Sequence, residues 1–580
     1  MTFKRTRLAS MLAAVLTFSA FSASAQEPPA AALGDDVTVE LIQMLVDTGV
    51  LKKEQASALL ARAQARAQAK ASQARAVTDP GAAIAQDGDI RVPYVPISVR
   101  KEIERNVKDQ MMAQAKTENW AQPNTFPDWV SRITVEGDVR ARNESRLFDG
   151  NNSNQIIDFN AFNENGPVPT VVGNLQNPYD MPWMNTRMDR RNLWRYRARL
   201  GVRADISDRW TAGIRLASGS DDNPVSTSDT FGGGMSKKSV WLDQMYITYR
   251  PTQWASITAG RAANPFMSTD MLYSDDLQFD GVSAKLSHAF ADRPLTVFGN
   301  LGMFALEYSN NSWTPDPDDP NAAGTEGKSE NKWLLGAQIG ATWKPNSSNT
   351  FTGALGYYRF ENLAGQRSSP CTVYTSSDSC DTDWSRPAFM QKGNTLFLLR
   401  DIRHWSADPD DWNEWQYVGL ASKFNLLDLN LSWQTSLFDG LDLRIDGNYV
   451  RNLAYSKDKM ISRAGGTQNI VNWRQNLADV ESGPNAYMLQ ATFGRGIRLD
   501  NAGDWRMFAG YKYIQPDSMP DGFNDSGFHL GGTNARGYYL GGSYAFHRNV
   551  WAQFSWSSSK EIYGAPLSID VLRFDLNARF

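Results

Sequence analysis

A comb of arginines is the pattern in this sequence that most directly suggests chemistry. Arginine occupies every second position over Arg195, Arg197 and Arg199, and Arg203 and Asp205 continue the same parity. Guanidinium groups stay charged and bind carboxylate or phosphate in a forked geometry. Side chains two residues apart share one face of a β-strand. The spacing therefore predicts a charged strand face suited to anions or to carboxylates on neighbouring strands.

Other segments carry acidic and basic residues in the same alternation. The candidates for a water-facing wall are Glu136, Asp138, Arg140, Arg142, Arg195, Arg197, Arg199, Arg203, Arg215, Arg444 and Asp446. A basic wall opposite acidic residues would create a transverse field that favours anionic or zwitterionic solutes. Alternatively, the arginines pair with Glu136, Asp138 and Asp205, and merely hydrate and stiffen the wall. Basic residues only modestly outnumber acidic ones on these faces, so both interpretations stay open.

The opposite face of the same segments is apolar. Leu200 and Val202 alternate with the arginines, and the C-terminal stretch DVLRFDLNARF places Phe574, Leu576 and Phe580 on one face. An arginine on a lipid-facing strand position costs about 2–4 kcal/mol at the bilayer midplane. The comb must therefore face water and the apolar residues lipid. We also expect the apolar C-terminal face to engage the barrel-assembly machinery.

Strand-like alternation recurs from about residue 130 to residue 580. Sixteen candidate strands begin near Ser131, Leu193, Arg209, Val240, Trp254, Leu277, Leu295, Trp333, Thr350, Val418, Leu441, Ala486, Trp505, Gly537, Val550 and Asp570. The connections between them alternate long and short, which is the asymmetry of brief periplasmic turns and longer extracellular loops. No blade-length repeat supports a β-propeller. The prediction is an all-β fold, a transmembrane antiparallel β-barrel of about sixteen strands at 130–580.

The connections themselves divide into two sets. The long ones are 143–192, 219–239, 262–276, 309–331, 361–416, 453–484, 515–536 and 560–569. The short ones centre on Ser207-Asp208, Pro251-Thr252, Asp292-Arg293, Pro345-Asn346, Phe438-Asp439, Asn501-Gly503 and His547-Arg548. The loop that opens with GRAANPF at 260–266 could fold inward and narrow the pore, but its position is not fixed by the sequence.

The N-terminal part has a different character. Residues 1–25 combine a basic start, an apolar core and the small residues Ala23-Ser24-Ala25, which together predict an export signal. Residues 26–120 lack strand alternation and are expected to form an α-helical periplasmic extension with a linker. Three interpretations of these helices stay open: self-associating coiled coils, a docking arm for another envelope component, or a poorly ordered tether.

Composition agrees with a barrel in a bacterial outer membrane. The mean hydropathy is −0.46 and the mature part has no apolar run long enough for a helical span. A barrel tolerates this because only alternate strand residues meet lipid. The 19 tryptophans suit interfacial girdles, although sugar-binding proteins are also rich in tryptophan. A net charge of −4 gives no electrostatic argument for nucleic acid.

Cysteine and histidine usage gives little sign of catalysis. Cys371 and Cys380 lie in one polar segment of an exported chain, which predicts a disulfide, with two free thiols as the alternative. The four histidines belong to no nucleophile or metal motif, so we expect no enzyme activity, no cofactor and no metal site. The acidic runs at 314–320 and 407–412 are interpreted as solvated loops, since neither has the spacing of an EF-hand calcium loop.

Four stretches of the sequence resemble one known family. The runs RVPYVPISVRKEIERNVKDQ, PDWVSRITVEGDVRAR, LDQMYITYRP and AGRAANPF are similar to the "putative porin" family of proteobacterial and Bacteroidetes outer membranes, over roughly 90–580. The resemblance implies an outer-membrane barrel that acts as a passive channel, and it supplies no catalytic or pore residues. It says nothing about the loops 361–416 and 453–484.

Two functions of different kinds follow. The first is a porin for passive diffusion of small hydrophilic solutes, with a mild preference for anions, favoured by sixteen strands, a polar lumen and no obvious plug domain. The second is a structural or adhesion protein, whose N-terminal helices tether the outer membrane to the cell wall or a partner. A homotrimer is expected only by analogy with other sixteen-stranded porins.

Overall fold

Sixteen antiparallel strands close into a barrel, as predicted. The computed structural model describes residues 128–170, 181–319, 322–404, 414–438, 440–471 and 480–580, so the predicted export signal at 1–25 and the predicted helical extension at 26–120 lie outside the described residues. The barrel strands are β1 (Ile133–Phe148), β2 (Arg190–Ser207), β3 (Trp210–Ala217), β4 (Trp241–Thr252), β5 (Ala255–Ala263), β6 (Gln278–Ala289), β7 (Leu295–Glu307), β8 (Lys332–Trp343), β9 (Asn349–Glu361), β10 (Asn425–Ser436), β11 (Leu441–Asn452), β12 (Asn485–Arg495), β13 (Trp505–Ile514), β14 (Ala535–His547), β15 (Val550–Glu561) and β16 (Ser568–Arg579).

The first and last strands complete the barrel. β16 pairs with β1 in a register that runs from Asp138 opposite Arg579 to Phe148 opposite Ile569. The C-terminal Phe580 extends this ladder, since its N–H donates to the carbonyl of Gly137 at 3.0 Å and its carbonyl accepts from the Gly137 N–H at 2.9 Å. Closure leaves no strand edge exposed to lipid, where an unpaired backbone group costs several kcal/mol.

Short turns and long loops occupy opposite ends of the barrel, which we call the turn end and the loop end. The turns are 208–209, 253–254, 290–294, 344–348, 437–440, 496–504 and 548–549. The loops are loop 1 (149–189), loop 2 (218–240), loop 3 (264–277), loop 4 (308–331), loop 5 (362–424), loop 6 (453–484), loop 7 (515–534) and loop 8 (562–567).

One predicted strand begins later than expected. The tenth strand starts at Asn425 rather than near Val418. The residues Val418–Leu420 instead pair with Leu396–Leu398, a short strand of the same loop. All six of these residues are buried, so the apolar segment finds its partner inside the loop rather than on the barrel wall. An extended apolar run gives no sign of which neighbour it will pair with.

The loops contain further short elements. The helices are α1 (Asp128–Ser131), α2 (Phe159–Glu164) and α3 (Lys457–Ala464), with 3-10 turns at Asp383–Ser385 and Thr467–Asn469. The short strand pairs are Ser312–Thr314 with Thr325–Gly327, Pro370–Cys371 with Asp401–Ile402, Glu414–Gln416 with Val168–Thr170, Leu396–Leu398 with both Val418–Leu420 and Ile470–Val471, and Asp229–Thr230 with β2. No helix among the described residues is long and apolar enough to cross a membrane.

The two faces of the barrel wall differ as the alternation predicts. The apolar side chains of Val135, Val139, Leu200 and Val202 are exposed on the outside, where lipid would cover them. Near the turn end, Phe351 stacks with Trp433 at 6.1 Å between ring centroids, as expected for an aromatic girdle.

An apolar core lies inside the barrel, where the loops meet the wall. It joins side chains of several loops to inward-facing residues at the loop end of the strands, among them Phe159, Phe162, Met181, Val225, Phe266, Tyr273, Phe279, Phe304, Leu334, Tyr358, Phe360, Met390, Leu396, Val418, Phe424, Val450, Met488 and Met519. The sequence shows no separate plug domain, but the loops themselves fill part of the lumen at the loop end.

Candidate functional site

Loop 3 leaves the wall after β5 and crosses the lumen. The side-chain amide of Gln338 on β8 accepts from the Met267 N–H at 2.8 Å and donates to the Met267 carbonyl at 2.7 Å. Asn430 on β10 donates to the same carbonyl at 3.1 Å. The Thr269 hydroxyl donates to Asn448 on β11 at 2.6 Å. The inward fold that the sequence left open is therefore held by hydrogen bonds to three distant strands.

An aromatic anchor fixes the beginning of loop 3. The Phe266 ring packs edge-on against Tyr358 and Phe304, with centroids 4.9 and 6.1 Å away. It occupies a notch over Gly336 and Gly302, which lie directly opposite each other on β8 and β7. A Cβ at Gly336 would lie 2.4 Å from the ring, and a Cβ at Gly302 would lie 3.2 Å from it. Only glycine at position 336 leaves room for the ring at this distance.

The far end of loop 3 is acidic and rests against loop 7. The Lys512 ammonium on β13 pairs with the Asp270 carboxylate at 2.7 Å. The Asp525 N–H donates to the Asp270 carbonyl at 3.0 Å, and the Ser274 N–H donates to the Phe523 carbonyl at 2.8 Å. Loops 3 and 7 thus form one platform across the lumen.

The arginine comb of β2 faces this platform. Asp138 on β1 accepts from Arg197 at 2.8 Å and from Arg199 at 2.5 Å. Arg199 also reaches Asp276 of loop 3 at 3.1 Å. Asp276 is oriented by loop 2, because the Thr227 N–H donates to its other oxygen at 3.0 Å. The comb therefore bridges the wall to the inward loop.

A second layer of ion pairs lies closer to the loop end. Arg142 makes a forked pair with Asp575 on β16, with N–O distances of 2.6 and 2.8 Å. Glu144, whose side chain is fully buried, pairs with Arg573 at 2.9 Å and lies 3.8 Å from both Arg142 and Arg195. Glu144 is thus shared among several guanidinium groups and Asp575 is paired with one, so most of the charge of this wall is compensated locally.

Arg140 makes no ion pair among the described residues. It donates to the Ser228 hydroxyl, and its Nε atom is buried without a hydrogen-bond partner. The Nε atom of Arg195 is likewise buried without a hydrogen-bond partner. Both arginines border a cavity of about 180 Å³ between the wall and the platform. The cavity is lined by Arg140, Arg142, Glu144, Arg195, Arg197, Val225, Ser226, Ser228, Asp270, Ser274, Asp275, Asp276, Asp525, Ser526, Gly527 and Arg573.

Three other candidate residues take part in two local pairs. Arg215 on β3 pairs with Asp243 of β4 at 2.6 Å. Arg444 pairs with Asp446, two residues along β11, at 2.9 Å. Neither pair borders the cavity. Both place charges on strand positions away from the platform.

The remaining candidates lie towards the turn end. Glu136 and Arg203 are exposed, and neither makes an ion pair in the part of the chain that the structure describes. Asp205 accepts from the Thr211 hydroxyl at 2.8 Å rather than from an arginine. Of the three acids named in the pairing interpretation, Asp138 alone contacts the comb.

The pKa values of two carboxyl groups in loop 3 are shifted in opposite directions by their surroundings. Asp275 contacts the aqueous lumen, yet enclosure by the barrel and then the negative charge of Asp270 raise its pKa to about 6. Burial opposes ionisation of Asp276, but Arg197, the Thr227 N–H and Arg199 together outweigh it, so the pKa of Asp276 lies below its usual range. Asp275 is thus a solvent-exposed carboxyl of the platform that titrates near pH 6.

Several residues of this site were not predicted from the sequence. Glu144 lies in the predicted connection 143–192, whereas Arg573 and Asp575 lie on the polar face of the predicted last strand. The closure of β16 on β1 brings these three residues together at the site. Asp276 and Asp525 belong to loops, where no periodic signal marks them. Their position depends on the fold of loops 3 and 7.

The apolar C-terminal face lies on the outside of the barrel. Phe574 and Leu576 are about half exposed there. The Phe580 ring covers Gly137, where a Cβ would lie 2.6 Å from the ring. This arrangement closes the last strand onto the first at the turn end.

One serine and one histidine do meet inside the barrel. His529 of loop 7 lies 2.9 Å from the Ser559 hydroxyl and 3.3 Å from Glu561, which also pairs with Lys392 at 2.8 Å. Burial is the main cause that lowers the pKa of His529 to about 4. The hydroxyl is also buried, so a substrate has no access to it. The cluster joins loops 5 and 7 to β15.

Loop 5 contains the predicted disulfide. Cys371 and Cys380 are bonded, and both are buried. Beside them the buried Arg400 makes a forked pair with Asp383, with N–O distances of 2.9 and 2.6 Å. These contacts lie within loop 5 and do not reach loop 3.

The acidic runs of the loops show no ion site in the described chain. In the run at 314–320, the Asp316 carboxylate accepts from the N–H groups of Asp318 and Asp319, which forms a local turn. The run at 407–412 lies outside the described residues. No group of three or more His, Cys, Asp or Glu side chains in the described part of the chain has the arrangement of a metal site.

The chain belongs to a porin family. A family model described as "Putative porin" matches residues 35–580. The family and the closed barrel together identify an outer-membrane protein whose architecture is that of a channel. No curated protein matches the chain.

Solved outer-membrane proteins share the fold at low sequence identity. A loop-deletion mutant of OmpT from Vibrio cholerae is 9% identical, with 77% of this chain and 100% of that chain covered and a TM-score of 0.34. The channel DcaP of Acinetobacter baumannii is 9% identical over 77% and 97%, with a TM-score of 0.35. OprB of Pseudomonas putida is 9% identical over 78% and 95%, with a TM-score of 0.38.

Proposed function

We propose that this protein is a porin that lets small hydrophilic solutes diffuse passively across the outer membrane, with a mild preference for anions. The observation that carries the proposal is the cavity between the arginine comb and the loop 3 platform, inside a closed barrel. A sixteen-stranded barrel is wide enough for an aqueous channel, and an inward loop narrows it.

The charges at the cavity explain why the preference is mild. Five arginines and five carboxylates line it. The arginines belong to the strands, whereas four of the carboxylates belong to loops 3 and 7. This separation creates a field across the passage. Three cations outside the lining pair with its carboxylates: Lys512, Arg146 and Arg199. Two carboxylates outside the lining, Asp138 and Asp575, pair with its arginines, so the described ion pairs leave one cation in excess. Arg140 is the arginine without a carboxylate partner, and we assign the preference to it.

The orientation follows from the asymmetry of the connections. In bacterial barrels the short turns face the periplasm and the long loops face the outside. We therefore place the turn end in the periplasm and loops 1 to 8 at the cell surface. We place the region predicted to be helical, 26–120, in the periplasm.

Planar-bilayer recording of the purified protein tests the proposal. We expect ohmic current steps of stable size, and a reversal potential in a KCl gradient that indicates a weak preference for chloride. A bilayer that stays silent with correctly folded protein would overturn the channel. Steps with a preference for potassium would retain the channel and overturn the role given to Arg140.

The tethering alternative is separated from the channel by deletion of residues 26–120. If the chain is a porin, the deletion variant should conduct like the full-length protein. Loss of envelope integrity together with unchanged conductance would assign a tethering role to the helices. The mass of the detergent-solubilised protein tests the homotrimer expected by analogy.

A further inference from the structure

Five tyrosines form a patch on the outside of the barrel near the loop end. They are Tyr449 on β11, Tyr487 on β12, Tyr511 and Tyr513 on β13, and Tyr538 on β14. Cross-strand register places Tyr487 between Tyr449 and Tyr513, and Tyr511 opposite Tyr538. The rings of Tyr487 and Tyr513 stack at 5.2 Å, and those of Tyr511 and Tyr538 lie 4.8 Å apart. They share the face of the lipid-exposed Leu489, which lies directly opposite Tyr511.

Three cations border this patch on the side nearer to the loops. Arg536 lies directly opposite Tyr513 on one side and Lys560 on the other. Arg451 follows Tyr449 by two residues, so it shares the outward face. We call these three cations and five tyrosines the tyrosine–cation patch.

The cations of this patch have no carboxylate partner among the described residues. Arg451 donates only to the side-chain oxygen of Asn485, at 3.3 Å. The Nε atom of Arg536 is buried without a hydrogen-bond partner, and Lys560 makes no ion pair in the described chain. Asp570, which faces outward opposite Ser558, is not paired with Lys560.

Outward cations elsewhere at the loop end are paired. Arg261 on β5 contacts both carboxylate oxygens of Asp280 on β6 at 2.9 Å. Arg359 on β9 pairs with Glu361 of the same strand. Both of these arginines therefore carry their own counter-charge, whereas the three cations on β11, β14 and β15 do not. The described residues therefore leave the patch with an uncompensated positive charge.

The position of the patch defines the chemistry of a partner that would compensate this charge. Tyrosine is favoured at the boundary between acyl chains and head groups, since its ring is apolar and its hydroxyl forms hydrogen bonds. Guanidinium and ammonium groups just beyond this boundary attract anionic head groups and donate strong hydrogen bonds to phosphate. A lipid whose head group combines phosphates with sugar hydroxyls would match both components.

We propose that the tyrosine–cation patch binds a phosphate-bearing glycolipid of the outer leaflet. The cations contact its phosphates and the tyrosines contact its sugars and upper acyl chains. The inference rests on the orientation given under the proposed function, with the loop end outward, but it does not depend on conduction. Removing the three cations should leave the channel unchanged, so failure of the lipid site and failure of the channel are distinguishable.

Native mass spectrometry of the purified protein with added glycolipid tests the site. The probes are bis-phosphorylated lipid A and the same lipid after removal of its phosphates. The variant R451Q/R536Q/K560Q removes the three cations, and R261Q/R359Q is the matched control because its arginines are already paired. We expect the wild type and the control to retain the phosphorylated lipid, and the triple variant to bind it at least about tenfold less.

Three results would overturn the proposal. The first is equal retention of phosphorylated lipid A by the triple variant. The second is equal binding of the dephosphorylated lipid by the wild type. The third is efficient disulfide cross-linking of two copies through Tyr538→Cys in membranes, which would make this face a subunit interface. Unchanged conductance of the triple variant establishes that it is folded, and Arg536→Lys should restore most of the binding lost in R536Q.

Discussion

The two walls of the lumen that contact loop 3 differ in composition, since one is charged and the other is aromatic. The wall of β16, β1 and β2 presents arginines and carboxylates in alternating ion pairs. The wall of β6 to β9 presents aromatic rings and a glycine notch that holds Phe266. Loop 3 is anchored on the second wall and directs its acidic residues towards the first.

This difference separates the geometry of the passage from its selectivity. An apolar anchor is stabilised by close packing, so removing a ring leaves a cavity and releases the loop. The charged wall is stabilised by ion pairs that do not involve Arg140, so removing this unpaired charge changes the field and leaves the shape. Variants on the apolar wall should therefore change the size of the current, and variants on the charged wall should change ion selectivity.

The largest effect is expected from Phe266→Ala on the anchoring wall. Loss of a buried phenylalanine costs about 3–5 kcal/mol, which should free loop 3 from the wall. Single-channel recording should then show larger and noisier current steps. Gly336→Val should have the same effect, since its side chain would occupy the place of the ring.

Phe351→Ala is the matched control for that change. Phe351 is an outward-facing aromatic residue on the same strand as Tyr358, and it does not touch loop 3. The conductance of the Phe351→Ala variant should equal that of the wild type. Wild-type current steps in Phe266→Ala would show that the aromatic notch does not hold the loop.

A smaller effect, on selectivity alone, is expected from Arg140→Gln on the charged wall. A unit charge at about 4 Å in water contributes about 1 kcal/mol, equivalent to about a fivefold change in the anion-to-cation permeability ratio. The ratio should fall by this order while conductance stays close to the wild-type value. Arg203→Gln, on the exposed part of the lumen towards the turn end, should change the ratio less. A larger change in Arg203→Gln would contradict the assignment to Arg140.

Acidification should increase the preference for anions, whereas Arg140→Gln should decrease it. The pKa of Asp275 is raised to about 6, so this carboxyl is mostly ionised at pH 7 and takes up a proton as the pH falls through 6. One negative charge is then lost from the platform, and the preference for anions should increase between pH 7 and pH 5. Since the folded loop binds this proton more tightly than the unfolded chain, protonation also stabilises the loop. Reversal potentials of Asp275→Asn should lack this pH-dependent step.

The smallest effect on conduction is expected at the disulfide, away from both walls. The double variant Cys371→Ser/Cys380→Ser should lose about 2–3 kcal/mol of local stability in loop 5, by the chain-entropy account of a short loop. Limited proteolysis of intact cells should cut loop 5 faster, while single-channel conductance should stay the same. A changed conductance would show that loop 5 supports the constriction.

The barrel was predictable because its strands have a period of two that a lipid-facing wall imposes. The starts of β7, β11, β13 and β15 coincide with the predicted residues. The predicted start of the tenth strand, near Val418, is wrong, because Val418–Leu420 pairs inside loop 5. The charged wall was visible in part as the arginine comb.

The platform was not predictable, for a physical reason. Its anchor depends on Phe266 meeting Gly302 and Gly336, which are distant in sequence and show no periodic pattern with it. Its acidic residues lie in loops, and the course of loop 3 is set by hydrogen bonds to Gln338 and Asn448. Such contacts follow from the closed barrel and cannot be read from one segment alone.

The most direct test of a constriction between the two walls is a cysteine placed at its border. Ser526 lines the cavity and is only half-buried, so Ser526→Cys in the background lacking Cys371 and Cys380 can be labelled during single-channel recording. A charged thiosulfonate reagent should lower the current of each channel in one step to a new stable level. Complete labelling, verified by mass spectrometry, with an unchanged current would contradict the account.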